Sequence, residues 1–266
     1  MKVHLVQHDI VWEDKAANHA RVRSLVDDAE IGRGDLIVLP EMFDTGFSIN
    51  LEKAEDGDGR SAGFLAGLAA DKGAMVVGGI SVKEGDRGRN RALVFGCAGE
   101  TVAAYDKVHP FSFGREGERF DGGREVVVFD WAFADGGVCR VQPAVCYDLR
   151  FPELFRAGLD RGAEAMVVIA NWPRPRQDHW RTLLKARAIE NQCFVMGVNR
   201  TGRDPHLAYA GGSVVFDPRG EMIGEMGEEE GVLSVELDRR RLDQWRKAFG
   251  AWLDRKFSGG QLFHEA

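Results

Sequence analysis

Leu36-Ile37-Val38-Leu39-Pro40-Glu41 is an apolar run that ends abruptly in a proline and a carboxylate. Consecutive aliphatic side chains without polar alternation fit a strand buried on both faces. The flanking sequence extends this pattern. Val3 to His8 reads as a strand, and Lys15 to Ile31 as a helix with Ala17, Ala20, Leu25 and Ala29 on one face. Ser61 is the expected cap of a helix over Ala62 to Lys72, with Phe64, Leu65, Leu68 and Ala69 inward. Met75 to Ile80 is another apolar strand. The order strand, helix, strand, helix, strand predicts a sheet with helices on its face.

Further along, strands dominate. Arg91 to Phe95 and Thr101 to Asp106 flank Cys97-Ala98-Gly99-Glu100 and read as a hairpin. Val126 to Trp131, Val138 to Cys146, Ala165 to Ile169, Cys193 to Asn199, Gly212 to Phe216 and Val232 to Leu237 complete the strand set. Pro152 suits the first position of a helix. Gln177 to Asn191 places Trp180, Leu183, Leu184 and Ala188 on one helical face, and Arg241 to Phe249 reads as a terminal helix. Asp217-Pro218-Arg219-Gly220 is a turn. There is no repeat, low-complexity linker or break in composition, so residues 1–266 are expected to form a single domain. Many strands with helices outside them suggest two sheets packed between helical layers.

The composition excludes several classes. The net charge is −7, with no basic excess to neutralise phosphates, so no nucleic-acid or anionic-membrane partner is expected. No stretch approaches the roughly 20 apolar residues of a membrane span. Met1 to Val6 is too short an apolar run for a secretory leader. Cys97, Cys139, Cys146 and Cys193 lack CxxC spacing and read as free thiols in a reducing, cytoplasmic setting.

Three reactive side chains follow strand ends. Glu41 follows the run at 36–39, Lys107 follows the strand ending near Tyr105, and Cys146 follows the strand through Val145. Ligands of α/β sheets gather outside the carboxyl ends of strands. A thiol beside a cation, with a carboxylate to move its proton, is a nucleophilic site. Lys107 and the Tyr147 N–H are candidate donors to an oxyanion. Each of these residues also has an ordinary structural role available: a buried thiol is usually a small hydrophobe, and a lone Asp-Lys is usually a surface pair. Gly78-Gly79 is not a phosphate loop, because no GK[ST] comes after it. His109 and His179 lie in no recognisable protease context.

Taken together, Leu39-Pro40-Glu41-Met42-Phe43, Tyr105-Asp106-Lys107-Val108-His109 and Val145-Cys146-Tyr147-Asp148-Leu149-Arg150-Phe151-Pro152-Glu153 resemble the nitrilase (carbon–nitrogen hydrolase) family. So do Ala170-Asn171-Trp172-Pro173, Ala186 to Gln192 and Gly211-Gly212-Ser213. The resemblance covers nearly the whole chain. It implies an α/β fold, the four-layer αββα sandwich of the nitrilase type, usually paired with a second subunit. A homodimer or higher homo-oligomer is therefore expected, with Trp245, Phe249 and Trp252 as candidates to cover a partner. It implies a Glu41, Lys107, Cys146 triad with no metal and no organic cofactor. Glu116 is the preferred second glutamate over Glu118.

Within the family, Glu41 to Ser48 and the Asn171-Trp172-Pro173 segment look most like bacterial ω-amidases, which act on small dicarboxylate monoamides such as 2-oxoglutaramate. The expected partner is thus a small-molecule amide. Arg150 is a candidate for its distal carboxylate, or alternatively an ion-pair partner of Asp148 or Glu153. Phe43 and Trp172 are candidate pocket walls. The rival activities are those of an N-carbamoyl amino-acid amidohydrolase, a nitrilase, or a non-catalytic thiol redox sensor.

Overall fold

A computed structural model gives the fold and describes residues 1–54, 59–258 and 261–262. The first half runs β1 (Lys2–Gln7), α1 (Lys15–Asp27), β2 (Leu36–Val38), α2 (Arg60–Lys72), β3 (Met75–Glu84), β4 (Arg87–Phe95) and β5 (Thr101–Asp106). The second begins with β6 (Phe129–Ala132), β7 (Val138–Val145), α3 (Pro152–Asp160), β8 (Ala165–Ala170), α4 (Gln177–Asn191) and β9 (Phe194–Asn199). It continues through β10 (Thr201–Arg203), β11 (Ala208–Ala210), β12 (Val214–Phe216), β13 (Met222–Glu225), β14 (Gly231–Glu236) and α5 (Arg239–Ala248).

Two six-stranded sheets result, ordered β14-β1-β2-β3-β4-β5 and β13-β12-β9-β8-β7-β6. Each has three parallel central strands. Val3 pairs with Leu36 and Leu36 with Met75 in one sheet; Val141 pairs with Ala165 and Ala165 with Phe194 in the other. Late in the chain, β14 returns to the first sheet and lies antiparallel to β1, with Lys2 opposite Glu236.

The layers follow from period-two alternation of side chains. Val3, Leu5, Leu36, Val38, Met75, Val77, Ala92 and Val94 point inward and share one core with Val141, Val145, Val167 and Val195 of the second sheet. Their neighbours Val6, Ile37, Val76, Leu93 and Phe95 point outward, where Val22 and Val26 of α1 and Leu65 and Leu68 of α2 cover them. On the far side, Leu154, Phe155, Trp180 and Leu184 of α3 and α4 cover the second sheet. This is an αββα sandwich, as expected, and it explains why β2 has no polar face.

Some local readings change. Helix α1 stops at Asp27, and its buried line is Asn18, Val22 and Val26, while Ala20 is exposed. The apolar count misses this face because Asn18 occupies a core position: it bonds both the N–H and C=O of Val11, each at 2.8 Å, and the Asp44 carbonyl at 2.7 Å. Ser61 does not cap α2. The helix starts two residues earlier than expected, at Arg60 after Gly59 in the left-handed region, and the Ser61 hydroxyl donates to Asp44 at 2.7 Å. Near the C-terminus, Trp245 lies under Arg219, and Trp252 under Arg246 and Arg255; Phe249 stays exposed. Among the described residues, no helix is long and apolar enough to cross a membrane.

Candidate active site

Glu41, Lys107 and Cys146 each leave a strand at its carboxyl end, and the sandwich brings those ends together. The Lys107 ammonium lies 3.0 Å from Glu41 Oε1 and 2.8 Å from Glu116 Oε2, with all three side chains buried. Asn90 on β4 donates to both carboxylates, at 2.7 Å to Glu41 and 2.8 Å to Glu116. The other oxygen of Glu41 accepts the Asn171 backbone N–H at 2.8 Å, while the Asn171 side chain donates to the Glu41 carbonyl at 2.6 Å. Glu116 also accepts the Phe111 N–H at 2.6 Å. Glu118 is exposed and pairs with Arg115, so Glu116 is the glutamate that joins the site.

Close backbone approach makes this possible. A Cβ added to Gly79 would meet the Glu41 Cα at 2.7 Å and the Met42 N at 2.9 Å. Gly79 of β3 therefore lets the chain after β2 turn across it, with Gly79 and Phe43 sharing a backbone bond at 3.0 Å.

Cys146 adopts φ = 47°, a left-handed conformation uncommon for a side chain other than glycine. It opens a short 3-10 turn, Cys146–Arg150, immediately after β7. Such a strand-to-helix turn exposes a nucleophile above a sheet. The turn is anchored by Asp148. Its carboxylate accepts from the Val145 N–H (3.1 Å), the Tyr105 hydroxyl (2.7 Å), the His109 N–H (3.0 Å) and the His109 ring (2.8 Å). Tyr105 and His109 bracket Lys107, so one buried carboxylate ties the lysine's segment to the cysteine's. The His109 ring also stacks on Phe151 at 3.8 Å, which places it beside the Lys107 loop.

Protonation states follow from these contacts. Burial pushes the Cys146 thiol up, the Glu41 charge adds to this, and the opposing pull of Lys107 does not prevail, so the resting group is a neutral thiol. Burial alone would raise Glu41, but Lys107 and the Asn171 and Asn90 hydrogen bonds outweigh it, and its pKa falls below the ordinary carboxylate value. Burial alone would lower Lys107, yet the Glu116 and Glu41 carboxylates dominate and hold it protonated. The cation therefore does not generate a resting thiolate, contrary to the simplest reading of a thiol beside a lysine. The resting site pairs a thiol with an ionised base.

A cavity of about 630 Å³ opens over Cys146 and Lys107, lined among others by Phe47, Phe111, Tyr147, Arg150, Trp172, Arg176 and Tyr209. Arg150 and Trp172 both stand in its wall, with the guanidinium 4.9 Å from the indole centroid. Arg150 meets His179 at 3.3 Å and, among the described residues, pairs with neither of its expected ion-pair alternatives, Asp148 and Glu153; Asp148 is engaged by Tyr105 and His109. Phe43 does not line the cavity. It is fully buried in the outer layer between the sheet and its helices, with its ring centroid 5.7 Å from His19 and 5.9 Å from Phe64. The reason is chain direction: after the turn at Glu41, residue 43 points toward the helices, and Phe47 supplies the aromatic wall instead. Asn90 and Arg176 carry no signal in the sequence that singles them out as site residues, and Asp148, though within the segment quoted around Cys146, shows its anchoring role only in the structure. Asn171 has a legible signal, since it follows the buried β8 just as Glu41 follows β2, whereas Asn90 lies inside a strand of arginines.

The model of the carbon-nitrogen hydrolase family matches residues 2–247. The chain belongs to the carbon–nitrogen hydrolase family. A 2-oxoglutaramate amidase of Bacillus subtilis is 35% identical over 252 residues, covering 94% of this chain and 95% of that protein. A protein of Staphylococcus aureus known as the hydrolase in the agr operon is 37% identical over 250 residues, covering 93% and 95%. Among solved structures, a CN-hydrolase superfamily protein of Xanthomonas campestris superposes with a TM-score of 0.89 at 37% identity, over 100% of this chain and 99% of that one. The fold and the class of reaction, hydrolysis of a carbon–nitrogen bond in an amide, follow from this membership.

Proposed function

We propose that this enzyme hydrolyses the terminal amide of a small dicarboxylate monoamide through a thioester on Cys146, as an ω-amidase. The observation that carries the reading is the convergence of the Cys146 thiol, the Glu41 carboxylate and a Lys107 ammonium held between Glu41 and Glu116, beneath a cavity whose wall holds Arg150. The likeness to a 2-oxoglutaramate amidase supports the substrate class.

In this scheme Glu41 takes the thiol proton as the sulfur attacks the amide carbon. Transfer to so weak a base is uphill in the resting site. It becomes accessible because negative charge leaves sulfur for the carbonyl oxygen, where Lys107 and the Tyr147 N–H stabilise it. The tetrahedral intermediate collapses, the C–N bond breaks, and ammonia leaves with the proton from Glu41. Water then adds to the thioester as Glu41 takes its proton; the C–S bond breaks and the thiol recovers that proton, releasing the acid. Glu116 acts through Lys107, keeping it charged and in place.

The test is ammonia release from 2-oxoglutaramate, glutamine, asparagine, a neutral amide, an N-carbamoyl amino acid and a nitrile. The dicarboxylate monoamide is expected to have the highest kcat/KM, and Cys146→Ala to release no ammonia above background. Full activity of Cys146→Ala refutes the nucleophile assignment. Release of CO2 with ammonia from the carbamoyl substrate, together with no ammonia from the monoamide, would favour the carbamoylase rival.

A further inference from the structure

Strand β4 carries the segments that supply Lys107 and Glu116. The Gly88 N–H donates to the Arg119 carbonyl and the Gly88 carbonyl accepts the Asp121 N–H, each at 2.9 Å, which fastens the segment just after Glu116. A Cβ at position 88 would meet the Phe120 ring at 2.7 Å, so glycine is what admits this approach. Two residues on, the Asn90 carbonyl accepts the Lys107 backbone N–H at 2.8 Å. Arg89 and Arg91 turn to the other face of the strand, where Arg89 pairs with Glu84 and Arg91 with Glu84 and Asp106. Asn90 lies between them on the inner face and is 2% exposed.

The amide nitrogen of Asn90 carries two N–H groups. It lies 2.7 Å from Glu41 Oε1 and 2.8 Å from Glu116 Oε1, one donor for each carboxylate. The amide oxygen has no partner among the described residues, so the orientation is set by the two glutamates. Two carboxylates around one ammonium leave a net negative charge in a buried setting, where neighbouring carboxylates tend to share a proton. A short, neutral side chain with two donors on one atom supports both ionised forms without adding a second cation. A lysine or arginine there would weaken the base, a serine has a single donor, and an aspartate would be a third anion. The other titratable groups about the cluster are the Cys146 thiol, which faces Lys107 and both glutamates, and Tyr209 beyond it. Asn171 brings only neutral donors to Glu41.

We infer that Asn90 is a positioning residue for the reaction: its amide holds Glu41 and Glu116 as two separate anions, so that Glu41 stays free to take a proton and Glu116 stays the counter-ion of Lys107. This role rests on Glu41 being the base. Asn90 does not itself line the cavity, so it acts through the glutamates and not on the substrate. One residue thereby sets all three charged groups, the lysine through its backbone carbonyl and the two glutamates through its side chain.

The experiment is the pH profile of kcat/KM for Asn90→Ser, Asn90→Leu and Asn90→Asp beside the wild type and Glu41→Gln, on the amide of highest kcat/KM in the panel above. Circular dichroism at each pH checks that a variant is folded, and Asn90→Ser, the smallest change, carries the test where the others do not fold. The acidic limb reports the base of the free enzyme. The Asn90 bonds favour the ionised carboxylates, so their loss moves that limb up. The shift is expected to be about one to two pH units in Asn90→Leu, the worth of a hydrogen bond to a charged group. It is smaller in Asn90→Ser, which keeps one donor, and largest in Asn90→Asp. Below both limbs kcat/KM of Asn90→Leu therefore falls by about 10- to 100-fold. Above them the gap narrows, and KM changes little throughout. An acidic limb that stays in place in every folded Asn90 variant overturns the role of Asn90 and leaves Glu41 as the base. Glu41→Gln with the activity and acidic limb of the wild type overturns the base assignment and the role of Asn90 together.

Discussion

His8 sits one residue beyond β1 and is fully buried. Its Nε2 bonds the Phe43 carbonyl at 3.1 Å, while Nδ1 has no hydrogen-bond partner among the described residues. Burial is the main cause that lowers its pKa from 6.5 to about 4, with Arg200 adding to it against the Phe43 carbonyl. Because the folded-state value lies below the unfolded one, the unfolded chain takes up a proton first as pH falls. Stability from this residue is complete above pH 6.5 and is lost between 6.5 and about 4. The loss amounts to about 3 kcal/mol at one pKa unit per 1.36 kcal/mol. Urea unfolding as a function of pH checks this. The wild type is expected to lose more stability than His8→Gln across that window, and parallel curves would remove His8 as the cause. At the same scale, the catalytic residues are only partly legible in the sequence. The types and order of Glu41, Lys107 and Cys146 are readable. The protonation of Cys146 is not, because it depends on how two carboxylates and one ammonium are placed around sulfur.

At the scale of elements, β5 and β7 belong to different sheets, yet their carboxyl ends share Asp148. A buried carboxylate with four donors is a stiff joint between the Lys107 segment and the Cys146 turn. Asp148→Asn replaces an acceptor oxygen by an amide that faces donors. Stability is expected to fall by about 2–4 kcal/mol, and kcat to fall by more than KM changes, because the lysine and thiol lose their mutual placement. Tyr105→Phe removes a single donor and is expected to cost less on both counts. Denaturant midpoints and steady-state rates on the preferred amide measure both effects. Unchanged kcat with reduced stability would show Asp148 to hold the fold alone. Sequence patterning locates these strands within a few residues, since alternation and apolar runs report burial locally. It places the buried face of α1 wrongly because Asn18, a polar residue, is buried by hydrogen bonds to Val11 and Asp44.

For the whole molecule, side chains from both sheets form one continuous core. We propose that the chain unfolds as a single cooperative unit. Cys139 and Cys193 report on this. Both are fully buried, and burial pushes their thiols up to about 12. In a Cys97→Ala, Cys146→Ala background, neither is expected to react with a thiol reagent near pH 8 in the native state. Their labelling should rise with denaturant at the same midpoint as the loss of secondary structure. Labelling well before that midpoint would mean that the second sheet opens separately.

Local chemistry along the chain determined the strands, most helices and the three residues that follow strand ends, which depend on periodicity and on the residue that terminates each buried run. The four-layer sandwich was implied by the family resemblance and not by periodicity. The hold of Glu116 on Lys107, the clasp of Asn90 and Asn171 on Glu41, the exclusion of Phe43 from the cavity and the placing of Arg150 and Arg176 in one cavity wall were decided only by tertiary structure. Each requires knowing which way a side chain leaves the backbone and which distant segment meets it, and neither is encoded in the spacing of residue types.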